Sequence, residues 1–398
     1  MSLSALRVMV VEDHGFQRRM ALRLLAEVGV SEVQEAADGA SALQLLESLA
    51  QPPDVVLVDL DMPGMDGIQF IGHLAQRRLA RAVALVSALD PALLNTVQTM
   101  TRAYGLRVLG SVEKPLTVDK LRAVLASYEE HLHDEDDDEP VDVDLEQIRG
   151  ALLRDELQAW FQPQVEFSNG KAVAVEALAR WVRPDGHVVR PMHFVPLLER
   201  EGLAQRLTDL MLEQACRWKR RWDDDGLRLN LSVNVSPVTL ADPAAADHYQ
   251  QIVQDHGVDP GEVMLEITES SLMADAARGL GVLARLRLKG FGLSIDDFGT
   301  GYSSLSQLSH VPFTELKIDQ GFVCGAHRQP RKRAVIEASL ELARKLQLDV
   351  VAEGVETTED WQMLAEMGCG IAQGYLIARP VPGVELADAI ARWRRPEH

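Results

Sequence analysis

The chain has 398 residues, with 40 Lys and Arg against 60 Asp and Glu, a formal net charge of −20. An acid excess of this size argues against direct DNA binding, which rests on cations that neutralise phosphates, and against docking on anionic membrane lipid. Three scattered cysteines, Cys216, Cys324 and Cys369, exclude a disulfide framework and a CxxC metal site and fit a reducing compartment.

At about 150 residues per domain the length predicts two or three domains. The N-terminus runs straight into acidic sequence without the basic start of a signal peptide, and no uncharged apolar run approaches the ~20 residues that span a bilayer. A cytoplasmic chain is therefore expected.

In chain order, residues 1–128 alternate short apolar runs with helical patterns. Strands are predicted at 7–11, 55–58, 82–86 and 107–109, and helices at 18–28 and 40–50. This alternation predicts an α/β domain with a doubly wound, flavodoxin-like parallel sheet. Glu12, Asp13, Asp59 and Ser87 follow directly on apolar strands, and Lys114 comes soon after the fourth. The carboxyl ends of parallel strands line one crevice, so these groups are expected to converge. Three clustered carboxylates repel one another and invite one Mg²⁺. A carboxylate beside that cation is a nucleophile toward a phosphoryl group, whose oxygens Lys114 and Ser87 would bind.

Residues 129–146 hold eleven acids and no Lys or Arg. A run that repels itself and buries little apolar surface reads as an acidic linker. Its histidines, His131 and His133, read as solvated.

Residues 147–398 repeat the strand–helix alternation over about 250 residues, the usual extent of a (β/α)8 TIM-like barrel. Polar residues interrupt its apolar strands: Glu176 and Arg180, Asn234, Glu266 and Glu269, Asp296 and Asp297, Lys317, Glu353 and Glu356, and Gln373. Charges on strands that should fill a barrel with Val, Ile and Leu are costly without partners, which marks a site at the C-terminal face. Asp296 and Asp297 cannot both face inward on a regular strand, so the strand is expected to end there. Carboxylates with the Asn234 amide form an all-oxygen set suited to two Mg²⁺ or Mn²⁺ ions. Such a pair, about 3.5–4 Å apart, activates water and polarises a phosphodiester. Lys317, if nearby cations lower its pKa, would help deprotonate that water. Trp218 and Trp222, at helical spacing, read as packing.

The stretch DLDMPGMDG (residues 59–67), with Glu12-Asp13, Ser87 and Lys114-Pro115, resembles the receiver domain of bacterial response regulators. The resemblance implies Asp59 as phosphoacceptor from a sensor histidine kinase, with Glu12, Asp13 and Asp59 sharing Mg²⁺ and Ser87 and Lys114 reading the phosphoryl group. Ser111 stands where many receivers carry a switching aromatic. The second part, from FQP (161–163) through Glu176-Ala177-Leu178, SVNVS, EITES, DDFGTGYSSL, LKID and AEGVE to QGYLIARP (373–380), resembles the EAL family of cyclic di-GMP phosphodiesterases.

That resemblance implies hydrolysis of cyclic di-GMP to linear pGpG. Glu176, Asn234, Glu266 and Asp296 would bind one metal, and Asp296 would bridge to a second held by Asp297 and Glu353. Glu356 would order a water, and Lys317 would assist it. Gln162, Arg180 and Gln373 would contact the dinucleotide. Glu269 would anchor the 297–305 loop, which in the family couples the metal site to a dimer interface, so a homodimer or higher homo-oligomer is expected. Two rival readings remain at this point: a non-catalytic cyclic di-GMP receptor that relays a signal, and the same metal chemistry on another phosphodiester.

Overall fold

The computed structural model describes residues 6–49, 51–77, 79–87, 94, 96–98, 100, 101, 104, 106–135, 143–269, 276–299 and 311–396. The chain divides into two compact units, Met1–Glu139 and Pro140–His398.

The first unit is a five-stranded parallel sheet: β1 (Arg7–Val11), β2 (Glu32–Ala36), β3 (Val55–Asp59), β4 (Ala82–Ser87) and β5 (Arg107–Glu113), in the order β2-β1-β3-β4-β5. β3 and β4 are buried throughout because Val, Leu and Ala face helices on both sides. Two apolar clusters lie on opposite faces of the sheet, one around Val56, Val58 and Phe70, the other around Val8, Val55 and Leu121. β2 escaped the sequence reading because EVQEA is a largely exposed edge strand without an apolar run. The helix Val118–Glu135 continues through the start of the acidic segment, and another, Leu145–Leu153, begins inside its end. Leu121, Leu125 and Tyr128 are packed in the core, so the costly helix nucleus already exists and each further turn adds easily, even through acids. Residues 136–142 of the expected linker lie outside the described residues.

The second unit closes eight strands into a barrel: β6 (Leu157–Glu166), β7 (Ala172–Val182), β9 (Asn230–Asn234), β10 (Val263–Thr268), β11 (Gly292–Phe298), β12 (Glu315–Ile318), β13 (Asp349–Ala352) and β14 (Ile371–Gln373). Short strands β8 (Val188–Val189) and β15 (Val381–Pro382) extend β7 and β6. Seven barrel strands run parallel, but β6 is antiparallel to both β14 and β7. The reason is local. β6 and β7 are joined by a short turn at Ser168-Asn169-Gly170, with Gly170 at φ 71°, too short for a crossover helix and suited to a hairpin.

The barrel core is Val, Leu, Ile and Phe, continuous with the surrounding helices. Trp218 and Trp222 do pack: their rings stack at 6.0 Å, and Phe161 meets Trp222 edge-on at 4.8 Å. Among the described residues, no helix is long and apolar enough to cross a membrane.

Candidate functional site

In the first unit, sheet order reverses between β1 and β3, and the crevice at their carboxyl ends collects the expected residues. Glu12 follows β1, Asp59 ends β3 and Ser87 ends β4; all three are buried, while Asp13 is exposed. Carboxylate oxygens of Glu12, Asp13 and Asp59 lie within 4.8 Å of one another. Lys114 Nζ reaches Asp59 Oδ2 at 2.6 Å and Glu12 Oε2 at 2.9 Å. Burial pushes the Glu12 carboxyl up against the pull of Lys114. Burial would lower the Lys114 ammonium, but its bonds to Asp59 and Glu12 outweigh that and raise it. Gly67 packs under this site: a Cβ there would overlap the Asp59 carbonyl, so only glycine permits the helix start to approach β3. Ser111 is exposed on β5.

In the barrel, the geometry centres on Lys317 of β12. It is fully buried, and its Nζ lies 2.7 Å from Glu353, 2.9 Å from Glu266, and 3.3 Å from both Glu176 and Asp296. Around it, Asn234 Nδ2 donates to Glu176 Oε1 at 2.8 Å. Gln373 Nε2 donates to Glu176 Oε2 at 2.5 Å and to Gln162 Oε1 at 3.0 Å, and Gln164 Nε2 donates to Gln373 Oε1 at 2.8 Å. Gln164 was missed by the sequence reading. Its signal was the alternation Gln162, Gln164 on one face of β6.

The electrostatics follow from crowding. Burial would raise Glu176, but Lys317, Gln373 and Asn234 overcome it and hold it low. Burial together with Glu176 drives Glu266 well up, and burial pushes Glu353 to about 8 and Asp297 to about 6. Lys317 itself would be lowered by burial, yet four carboxylates hold it well above its ordinary value. Among the described residues, the charged groups within reach of Nζ are acids, which sets this direction.

β11 also differs from expectation. It continues to Phe298 instead of ending at Asp296, and its pairing with β12 shifts register between Ile295 and Phe298. Asp297 sits at φ 56°, the left-handed region, and this bulge lets consecutive aspartates serve one cluster. Oxygens of Asp296, Asp297 and Glu353 lie within 4.8 Å of one another.

The donor set fits divalent metal. All members are hard oxygen ligands, and Glu266 Oε1 is buried without a hydrogen-bond partner, leaving lone pairs unused. Asp296, Asp297 and Glu353 form one oxygen cluster, and Glu176 and Asn234 are bonded to each other beside it.

Other expected residues lie outside this knot. Arg180 is half-buried beside Trp160, with its guanidinium carbon 6.0 Å from that ring, and burial lowers its pKa. Glu356 is exposed, and the Cys324 thiol donates to it at 3.7 Å. Glu269 is buried after β10, and its Oε2 accepts from the Gly299 backbone N–H at 3.0 Å. That bond ties β10 to the start of the expected 297–305 loop, of which residues 300–305 lie outside the described residues. An apolar cavity of about 430 Å³ opens against the end of the Glu176 strand, lined by Ala177, Leu178, Ala179, Pro191, Met192 and Asn234 among others.

Comparison with known proteins places both units in families. Residues 145–380 match the EAL domain and residues 8–126 the response regulator receiver domain. The chain is 37% identical over 391 residues to the cyclic di-GMP phosphodiesterase RocR of Pseudomonas aeruginosa, covering 97% of this chain and 99% of RocR. It is 40% identical over 248 residues to the bifunctional diguanylate cyclase/cyclic di-GMP phosphodiesterase MucR of the same species, 62% of this chain but only 36% of MucR. Among solved structures, the PaMucR phosphodiesterase in complex with c-di-GMP matches at TM-score 0.58 and 40% identity, over 61% of this chain and 98% of that one. The EAL domain of Mycobacterium smegmatis DcpA matches at TM-score 0.52 and 34% identity, over 60% of this chain and 100% of that one. The chain belongs to the EAL domain family, and it carries a response regulator receiver domain ahead of its EAL domain.

Proposed function

We propose that the chain is a response regulator whose barrel hydrolyses cyclic di-GMP to linear pGpG, under the control of phosphorylation at Asp59. The observation that carries the reading is the convergence of Glu176, Asn234, Glu266, Asp296 and Glu353 around one buried lysine, with Asp297 joined to them by the bulge.

Glu176, Asn234, Glu266 and Asp296 would hold one Mg²⁺ or Mn²⁺, and Asp296, Asp297 and Glu353 a second. Bound there, the two ions would supply Lewis acidity toward a phosphodiester and toward water. The chain's own groups do the rest. Lys317, held among acids, offers a positive charge at the attacking water and takes part in its proton transfer. Gln373 and Gln162, bonded to each other, fix the orientation of Glu176. Arg180, half-buried, would take a phosphate oxygen, and the apolar cavity lined by the preceding Ala179 suits a base. Glu356 at the rim orders a water.

The test is Glu176→Ala in the full chain: turnover of cyclic di-GMP should fall by about 10³-fold or more while the fold persists. Turnover within a few-fold of the unaltered protein would favour the non-catalytic receptor.

In the first unit, Asp59 would accept the phosphoryl group from a sensor histidine kinase, with one Mg²⁺ held by Glu12, Asp13 and Asp59, and Ser87 and Lys114 binding the phosphoryl oxygens. Phosphorylation would break the Lys114–Asp59 ion pair, the change from which a signal starts. The Glu269–Gly299 bond supports a role for the loop in receiving it, within a homodimer or larger homo-oligomer. Beryllofluoride with Mg²⁺ should change kcat for the dinucleotide at least about 3-fold, and Asp59→Asn should remove that response. Equal rates with and without beryllofluoride would contradict the coupling.

A further inference from the structure

The barrel's other end holds a polar cavity, of about 460 Å³, at the N-terminal mouth, away from the catalytic face. Barrel interiors are normally packed with branched apolar side chains, so its lining is unusual. Glu315 opens β12 two residues before Lys317, and Ser294 lies two before Asp296 on β11; period-two alternation therefore directs both into the barrel. Ser294, Glu315 and Asp349 are register partners across β11, β12 and β13, one continuous row.

Glu315 is 5% exposed, it lines this cavity, and its Oε1 has no hydrogen-bond partner. The Ser294 hydroxyl is fully buried and within hydrogen-bonding reach of the Glu315 carboxylate. Asp349 and Glu166 line the same space, and among the described residues no Lys, Arg or His does. Burial, with Asp349 and Glu176 nearby, pushes the Glu315 carboxyl up against the opposing pull of Ser294 and Lys317. Cys369 also borders the cavity, but its thiol donates to the Val350 and Ile371 carbonyls and burial pushes it to about 12, so it offers no thiolate to a soft metal. Oxygen ligands alone select a hard cation.

We propose that this mouth is a binding site for a hard divalent cation, held by Glu315 with Asp349 and separate from the catalytic metals. The test is the number of Mn²⁺ ions bound at saturation by the full chain, counted by equilibrium dialysis with electron paramagnetic resonance. Glu315→Gln should bind one ion fewer than the unaltered protein. The same one-ion difference should persist when Glu315→Gln is added to a chain already carrying Asp296→Asn and Glu353→Gln. Equal counts with Glu and Gln at position 315 would overturn the proposal. So would a difference that vanishes in the catalytic variant, because the ion would then belong to the catalytic site. Should Glu315→Gln fail to fold, Asp349→Asn carries the same comparison, with a lost ion expected and an unchanged count overturning.

Discussion

Lys317→Met is expected to lower turnover by about 10³-fold or more and, in chelated buffer, to destabilise the barrel by about 3–5 kcal/mol. The ammonium is fully buried and is the positive partner of Glu176, Glu266, Asp296 and Glu353. Methionine keeps the volume but leaves those acids facing one another in low dielectric. The variant must then take up protons to fold, and the sign of its pH dependence follows. Glu353 already titrates near 8 in the fold against an ordinary 4.5, so its folded form binds protons more tightly than its unfolded form. A carboxyl shifted upward opposes folding increasingly as pH rises from its unfolded to its folded pKa. Without Lys317 these acids shift further, so the stability deficit should be small near pH 5 and grow through pH 8. Saturating Mg²⁺ should recover part of it, raising the melting temperature of Lys317→Met more than that of the unaltered protein. Chemical denaturation across pH, with and without the ion, measures this. A deficit independent of both pH and Mg²⁺ would mean that the acids do not form one electrostatic unit.

Gly374→Ala is expected to lower kcat by about 10²-fold with the fold retained. A Cβ at Gly374 would overlap the backbone nitrogen and carbonyl of Val355. Neither side can yield freely, because Val355 N–H donates to the Gln373 carbonyl at 3.0 Å and the Val355 carbonyl accepts from Leu376 at 3.0 Å. Gln373, which bonds Glu176, and the 353–356 segment, which carries Glu353 and Glu356, must therefore separate. A displacement of about 1 Å among groups that position reactants carries this kind of rate loss. Steady-state kinetics alongside circular dichroism separates misplacement from unfolding. An unchanged kcat would show that Gln373 and the 353–356 segment need not be held this closely.

The sequence carried the site further than the backbone that shapes it. Each strand that delivers a catalytic candidate announced itself, because an acid or amide inside a Val/Leu/Ile run conflicts with burial and needs an explanation. β2 was illegible for the opposite reason: its alternation is polar and exposed, so nothing in EVQEA distinguishes it from loop. The reversal of β6 was written in Asn169-Gly170, a hairpin signal that the expectation of a uniform barrel concealed. The bulge at Asp297 could not be read, since a left-handed aspartate leaves no pattern in composition or period. Glu315 lay in view within ELKID, but one acid at the start of a strand looks like an exposed end until the register shows it facing inward with one carboxylate oxygen unpaired. The raised pKa of Lys317 required knowing that four separate strands aim acids at one nitrogen.

The central claim is that this constellation makes the barrel a metal-dependent phosphodiesterase. It is tested most directly by incubating the purified full chain with cyclic di-GMP and Mn²⁺ or Mg²⁺ and separating the nucleotides by chromatography. The account predicts linear pGpG as product, abolished by a chelator and restored by adding back the ion. Tight binding of the cyclic dinucleotide with no linear product at any ion concentration would contradict it.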